Sequence, residues 1–433
     1  MKKSISISVF FHAAFHTQNC CPQLKMKNIQ SILLKLLIIL LLFGCNEKSK
    51  NEGGNELSSS DSISSKYFLK LTGHISPYMT YRPRIPITKK EAEDTNHYKV
   101  DYDSEGRIIK VMHYSKGLLN NYSYFGIAVV SLEYKNTQLI RRYFDHNNKP
   151  ASVRRHFYGR GENQGIHKEV FELDADGRRK SLVLYNEKDE QIETEYGTYR
   201  FEWETQNDSS FIQRALKKNG EINILMDYFD FYVTHITTDE NGYLDLIKNY
   251  GKDGKELVLS EKKKAAYTDF DFDEYGNEVS YTFHDEDGNL VDRQDTGYAS
   301  FGYAQVKYIR KTPSKGVNDG LETVFFDKNN RRVTASDSVA RHVRYHNDNG
   351  DIIAFEYYSL NEEKIIPPGI GYFRSERHYN KSGDIKETRY YDTDGRLTNN
   401  PSDGAAIVKL IYDDSRNILR IEKQDKFENV LKD

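Results

Sequence analysis

The feature that most constrains this chain is a spacing. Turn-forming residues recur twelve apart, and the stretch between one reversal and the next is strand length and too short for a typical helix. Tyr379-Asn-Lys-Ser-Gly383 opens the plainest example and Tyr391-Asp-Thr-Asp-Gly395 closes it. Gly276 to Gly288 and Gly242 to Gly254 have the same spacing. Weaker turns keep it with other residues: Asn136 to Asn148, Gly177 to Asp189, Gly350 to Glu362 and Arg416 to Glu428. Asp, Asn and Gly cluster where a backbone needs positive φ or a side chain that bonds its own turn, so Asp-x-x-Gly marks a reversal.

Counted from the opening turn, positions +3, +5 and +7 carry apolar or aromatic groups, as in Ile109/Val111/His113, Val279/Tyr281/Phe283 and Ile353/Phe355/Tyr357. A period of two predicts half-buried strands. Position +8 is often tyrosine (Tyr114, Tyr185, Tyr250, Tyr358, Tyr391). Opening turns fall near 106, 136, 177, 208, 242, 276, 318, 350, 383 and 416, which makes ten units, those at 208 and 318 being degenerate. The longer gaps, 136 to 177 and 276 to 318, are read as enlarged loops, where recognition is usually carried.

Composition supports a thin, repetitive sheet over several compact domains. Charged residues make up 29% and hydrophobic residues 37% of the 433, with 32 Tyr and 22 Phe against one Trp, so the interior must be narrow and ring-rich. Units that bury one face against their neighbours satisfy that. The expected fold is all-β, with tandem antiparallel hairpins over residues 98–433 forming an elongated curved sheet or solenoid. A β-propeller is the alternative, for which ten units is an awkward number. Residues 67–97, with Pro77, Pro83, Pro86 and aromatics, read as a lead-in or cap.

Residues 1 to 44 carry five lysines and no acid, so 57 basic and 65 acidic side chains remain after them and no nucleic-acid footprint is left. Residues 1–25 precede a second start at Met26 and read as a misassigned start. Residues 26–44 have the charged, then apolar, order of a signal peptide, too short to be a typical membrane span. Residues 45–66, rich in Ser, Asn, Gly and charge, read as a flexible tether. After Cys45 there is no cysteine, which excludes an intrachain disulfide, a thiolate metal site and a cysteine nucleophile there.

Two resemblances follow from these residues. Leu42-Phe43-Gly44-Cys45 resembles the lipobox of bacterial lipoproteins, which implies acylation of Cys45, a signal peptide and a cell-envelope location at the outer membrane or cell surface. Phe43 departs from the usual small or branched residue. Tyr102-Asp103, Gly106-Arg107-Ile108 and Tyr391-Asp392, Gly395-Arg396-Leu397 resemble the YD repeat of RHS-type bacterial surface and toxin proteins, over about residues 98 to 431. That likeness implies a β-repeat architecture and says little about activity.

The search for chemistry is mostly negative. No His-Glu-x-x-His, Gly-x-Ser-x-Gly or Gly-x-x-x-x-Gly-Lys motif occurs. The acidic turns ending at Gly177, Gly288 and Gly395 lack the carboxylate an EF-hand needs at its twelfth position. Asp269, Asp271 and Asp273, with Glu274, are the best ion candidates, although a solvated strand edge accounts for them. Tyr199, Phe201 and Trp203 alternate and could stack on a sugar ring, yet cross-strand packing explains them too. No cofactor, metal or catalytic residue is expected. The favoured function is noncatalytic binding of a protein or glycan partner by a lipid-anchored envelope protein. An envelope enzyme acting on polysaccharide and a neutralising or assembly factor for a secreted partner are the alternatives. The irregular stretches 151–170 and 296–317 are basic on an acidic protein, and Arg154, Arg155, His156, Arg160, Lys307, Arg310, Lys311 and Lys315 are expected to meet an acidic partner or anionic glycan there.

Overall fold

The computed structural model describes residues 63–72, 76–79, 81–121, 126–153, 158, 165–293, 302–310, 320–335 and 338–431. Cys45, the signal peptide and all but the end of the tether lie outside them. So do Arg154, Arg155, His156, Arg160, Lys311 and Lys315. Ser64 and Ser65, placed in the tether by composition, already belong to a strand.

The lead-in is a hairpin and a short helix. β1 (Ser64–Thr72) pairs with β2 (Arg82–Ile87), and α1 (Lys89–Asp94) follows, opened by a capping box between Thr88 and Glu91. Ten hairpins come next. β3 (His97–Tyr102) and β4 (Ile108–Ser115) form the first, with β5 (Leu118–Leu119) alongside β4. β6 (Val129–Lys135) and β7 (Gln138–Phe144), then β8 (Lys168–Leu173) and β9 (Arg179–Tyr185), form the second and third. After β10 (Gln191–Ile192) come β11 (Arg200–Asn207) and β12 (Ser210–Leu216), then β13 (Ile222–Asn223) and the fifth pair, β14 (Val233–Thr238) and β15 (Leu244–Asn249). The sixth is β16 (Tyr267–Phe272) with β17 (Glu278–His284), and the seventh β18 (Gln305–Arg310) with β19 (Leu321–Phe326), followed by β20 (Arg332–Val333). β21 (Arg341–His346) and β22 (Ile352–Tyr358), β23 (Arg374–Tyr379) and β24 (Ile385–Tyr391), and β25 (Ile407–Tyr412) and β26 (Ile418–Gln424) complete the set.

Each hairpin pairs with the next through antiparallel strands, giving one open, curved, repetitive sheet with no closing pair between its ends among the described residues. Nine of the ten tips fall where the turn spacing puts them; the tip near 318 lies outside the described residues, though its flanking strands pair. At Asn136, Asn148, Asp189, Glu362, Arg416 and Glu428 the backbone has positive φ between 38° and 62°. These are the weaker turn positions of the spacing, so the geometry persists where glycine does not.

One regularity differs from the period-two reading. Just after most tips the register slips by one, as between Asp271/Ser280 and Phe272/Glu278 or between Asp101/Lys110 and Tyr102/Ile108. The bulge turns position +2 inward with +5 and +7, so Arg179, Leu244, Glu278 and Ile385 are buried, whereas Lys180 and Lys386 at +3 are exposed.

The inner face carries the core. The fourth residue of each leading strand makes a ladder across it: Val100, Leu132, Phe171, Trp203, Ile236, Phe270 and Tyr308 all join one buried cluster with Leu71, Met79 and Tyr81 of the lead-in. In the next two hairpins the same rung is Arg344 and Arg377, which flank the Phe355 ring at 5.7 and 5.2 Å. The shared cluster therefore ends at Ala335.

The lead-in lies across the tips of hairpins three to six. Arg179 donates to the carbonyls of Pro77, Tyr78 and Met79, Tyr78 stacks on Phe211 at 4.0 Å, Arg82 and Arg84 donate to Asn241 O, and Lys70 donates to Gly276 O. The sheet also curls until its last tips meet its first hairpins. Asn96 donates to Asp351, Asn120 to Gly383 O, and Asn147 to Ser415 O, while Arg416 reaches both Asp384 and Leu119 O.

Candidate functional site

Tyrosine at position +8 faces the first residue of its own hairpin across the outer face. In three hairpins this makes a ring contact: His97 stacks on Tyr114 at 5.2 Å, Lys168 lies over Tyr185 at 4.4 Å, and Arg341 lies over Tyr358 at 3.9 Å. The pairing follows from register alone, since these residues are direct cross-strand partners.

Around the third of these pairs the outer face sinks into a groove of about 490 Å³ over β18, β19, β21 and β22. Its floor is Val324 and Phe326, and its walls include Ile309, Tyr345 and Tyr358. Charged groups run along it in alternation. Arg341 bonds Glu362 at 2.7 Å and lies 3.4 Å from Glu322, and Arg332 bonds the other oxygen of Glu362. Glu362, which bridges the two arginines, occupies the left-handed position of its turn. Beside them Glu356 accepts from Tyr345 at 2.8 Å, Tyr358 at 2.6 Å and Arg374.

These contacts set the protonation states. Burial works to raise the Glu362 carboxyl, but hydrogen bonds from Arg332 and Arg341 outweigh it and hold it below the usual carboxylate value. Glu356 is likewise held low by Tyr358, Tyr345 and Arg374 against the effect of burial. Burial and the Glu356 charge push the Tyr345 phenol up to about 12 and raise Tyr358 as well. The groove presents ionised carboxylates, guanidinium groups, phenols that keep their protons, and an apolar floor. That set can hydrogen-bond hydroxyls and stack on the flat side of a ring; Glu356 and Glu362 are already committed to arginines as ionised bases.

Of the expected site residues, only Lys307 and Arg310 are described. Both stand on β18, so 305–310 is strand where an enlarged loop was expected. Lys307 points outward beside the groove, its ammonium 4.8 Å from the centre of the Phe326 ring. Arg310 points the other way and is 4% exposed, so it is no surface cation; the alternation of β18 sends it to the core side. In the sequence, Arg332, Arg341, Tyr345 and Tyr358 are legible only as strand or turn residues.

The sugar-stacking reading of Trp203 is corrected. Phe201 is fully buried and Trp203 is 6% exposed; their rings stack at 6.2 Å inside the core, and the indole donates to Gln213. The acidic run does not converge either. Asp271 accepts from Ser280 on the outer face, Asp273 is taken up by Tyr275 N and Asn277 N in its own turn, and Asp269 stands opposite Thr282. Among the described residues no group of three His, Cys, Asp or Glu side chains is placed to hold a metal, and no helix is long and apolar enough to cross a membrane.

No family model matches this sequence, and no curated protein does. Similar solved structures include a TcdB2-TccC3-Cdc42 complex, at 9% identity and TM-score 0.17 over 78% of this chain and 18% of that one. A porin-like protein from Bacteroides uniformis shares 8% identity over 82% and 91%, at TM-score 0.15. A Photorhabdus luminescens Tc holotoxin pore shares 8% over 76% and 23%, at TM-score 0.12. This chain spans less than a quarter of the length of the toxin chains, and scores this low carry no argument about it.

Proposed function

We propose that this protein is a noncatalytic, lipid-anchored repeat protein of the bacterial cell envelope that binds a glycan or protein partner on the outer face of its sheet. What supports binding is the groove over β18 to β22, where tyrosine, arginine and an apolar floor meet in a volume suited to a small ligand or a few sugar rings. Pairing of Glu356 and Glu362 with arginines supports the noncatalytic part, because a glycosidase acid needs a raised pKa. The anchor rests on the lipobox resemblance at Cys45, and the YD/RHS-like character on the Tyr-Asp-x-x-Gly-Arg turns.

A glycan array and an envelope pull-down with residues 63–433 test the binding reading. Arg341→Ala with Tyr358→Ala should abolish retention of whatever the unaltered protein captures. Retention that is unaffected by both changes, or turnover of a polysaccharide by the purified protein, would overturn it. The anchor is tested separately: Cys45→Ser should abolish lipid labelling and membrane retention, and an unchanged membrane fraction would refute it.

A further inference from the structure

The lead-in meets the sixth hairpin at one contact unlike the others. Lys70, near the end of β1, places its Nζ against the side-chain carbonyl of Asn277 and 2.9 Å from Gly276 O. Asn277 is 1% exposed, and its amide nitrogen is fixed by a 2.7 Å bond to Asp273. The next residue is Glu278, turned inward by the bulge after the tip. It is 2% exposed, and among the described residues neither carboxyl oxygen has a hydrogen-bond partner. A bare buried carboxyl beside an amine and a carboxamide calls for an explanation.

We propose that Lys70 and Asn277 are joined by an intramolecular isopeptide bond, with Glu278 as the proton carrier. The reaction balances without a co-reactant. The lone pair of neutral Lys70 Nζ adds to Cγ of Asn277, and Nζ gives up a proton to Glu278. Glu278 passes a proton to the amide nitrogen held by Asp273, the bond from Cγ to that nitrogen breaks, and ammonia leaves. The surroundings favour the reactive forms. Burial first, and the charge of Arg310 second, bring the Lys70 amine down to about 7, so a large share is uncharged at neutral pH. Burial raises the Glu278 carboxyl well above its usual range, with the Lys70 charge working the other way, so it can carry a proton. The product would tie β1 to a tip 207 residues along the chain and lock the lead-in over the sheet.

Intact mass and peptide mapping of the purified chain decide the matter. The expected result is a protein lighter by one ammonia, with a branched peptide joining Lys70 to Asn277. Lys70→Arg and Glu278→Gln should each return the full mass and the separate peptides. A full-mass wild-type protein would overturn the proposal and leave a hydrogen-bonded clamp. A succinimide at Asn277 would lose the same mass, but it would persist in Lys70→Arg; that result would overturn the proposal too. The wild-type measurement stands even if a variant does not fold.

Discussion

Single residues show how much a repeat position can hide. Gly383 and Gly395 both sit at the end of Asp- or Asn-led turns with φ near 80°, and nothing in the sequence distinguishes them. A Cβ at Gly395 would meet open space, whereas one at Gly383 would lie 2.3 Å from Ser115 Oγ on the first hairpin. Alanine at Gly395 is expected to cost about 1 kcal/mol through backbone strain alone. At Gly383 overpacking should add roughly 1–3 kcal/mol, and denaturant unfolding of the pair would show it; equal losses would mean that the curl is not held there. His113 supplies a second prediction. It is buried, bonded to Asn120 O and tilted against Tyr98, and burial lowers it to about 4. Between that value and the ordinary histidine pKa of 6.5 the unfolded chain binds the extra proton, so stability rises with pH across this window. It is lost as pH falls from about 6.5 to 4, by up to about 3 kcal/mol from this residue. His113→Phe should flatten the pH dependence of unfolding, and an unchanged slope would assign the acid lability elsewhere.

At the scale of elements, hairpin pairing follows from local turn chemistry, while the lead-in depends on contacts with distant turns. Arg179 follows the tip of the third hairpin in sequence, in a position where the bulge could equally have left it in solvent. It turns inward, lies 4.6 Å over the Phe171 ring, and binds three successive carbonyls of residues 77–79. Removing it strands those carbonyls, at a cost on the order of 3 kcal/mol for charge-assisted bonds. Arg179→Ala should therefore speed amide exchange across 76–87 while the hairpins from β14 onward keep their protection. Global unfolding instead would show that the lead-in is part of the folding core itself. The turn spacing made the hairpins legible because each reversal is closed by its own backbone and Asx bonds. The bulge is not legible, because it adds no residue type of its own, and so a period of two puts +3, +5 and +7 inward where the structure uses +2, +5 and +7.

For the whole molecule, a linear array would lose its last unit without consequence for the first. Here Arg416 and Ser415 of the last tip touch Leu119 and Asn147 at the first and second hairpins. Deleting residues 404–433 should leave most of the sheet folded and yet raise amide exchange at 115–121 and 146–147. Exchange changes confined to the ninth hairpin, next to the cut, would restore the linear picture. The sequence by itself determined the ten hairpin units, their turns and their antiparallel order, since these rest on interactions within a dozen residues; β1, β2 and β18, which composition reads as tether, lead-in and loop, it did not. Part of the groove and its border was within reach: spacing singles out the +8 tyrosine, Tyr358, that lines it, and charge singles out Lys307 beside it. That Arg341 would lie on Tyr358, that Glu362 would bridge two arginines, and that Arg310 would face inward depend on which face each strand presents. Only the tertiary structure decided the curl, the seating of the lead-in on the tips and the meeting of Lys70 with Asn277. Those contacts join residues 100 to 300 positions apart, and no period in the sequence encodes how far a twisted sheet turns before its ends meet.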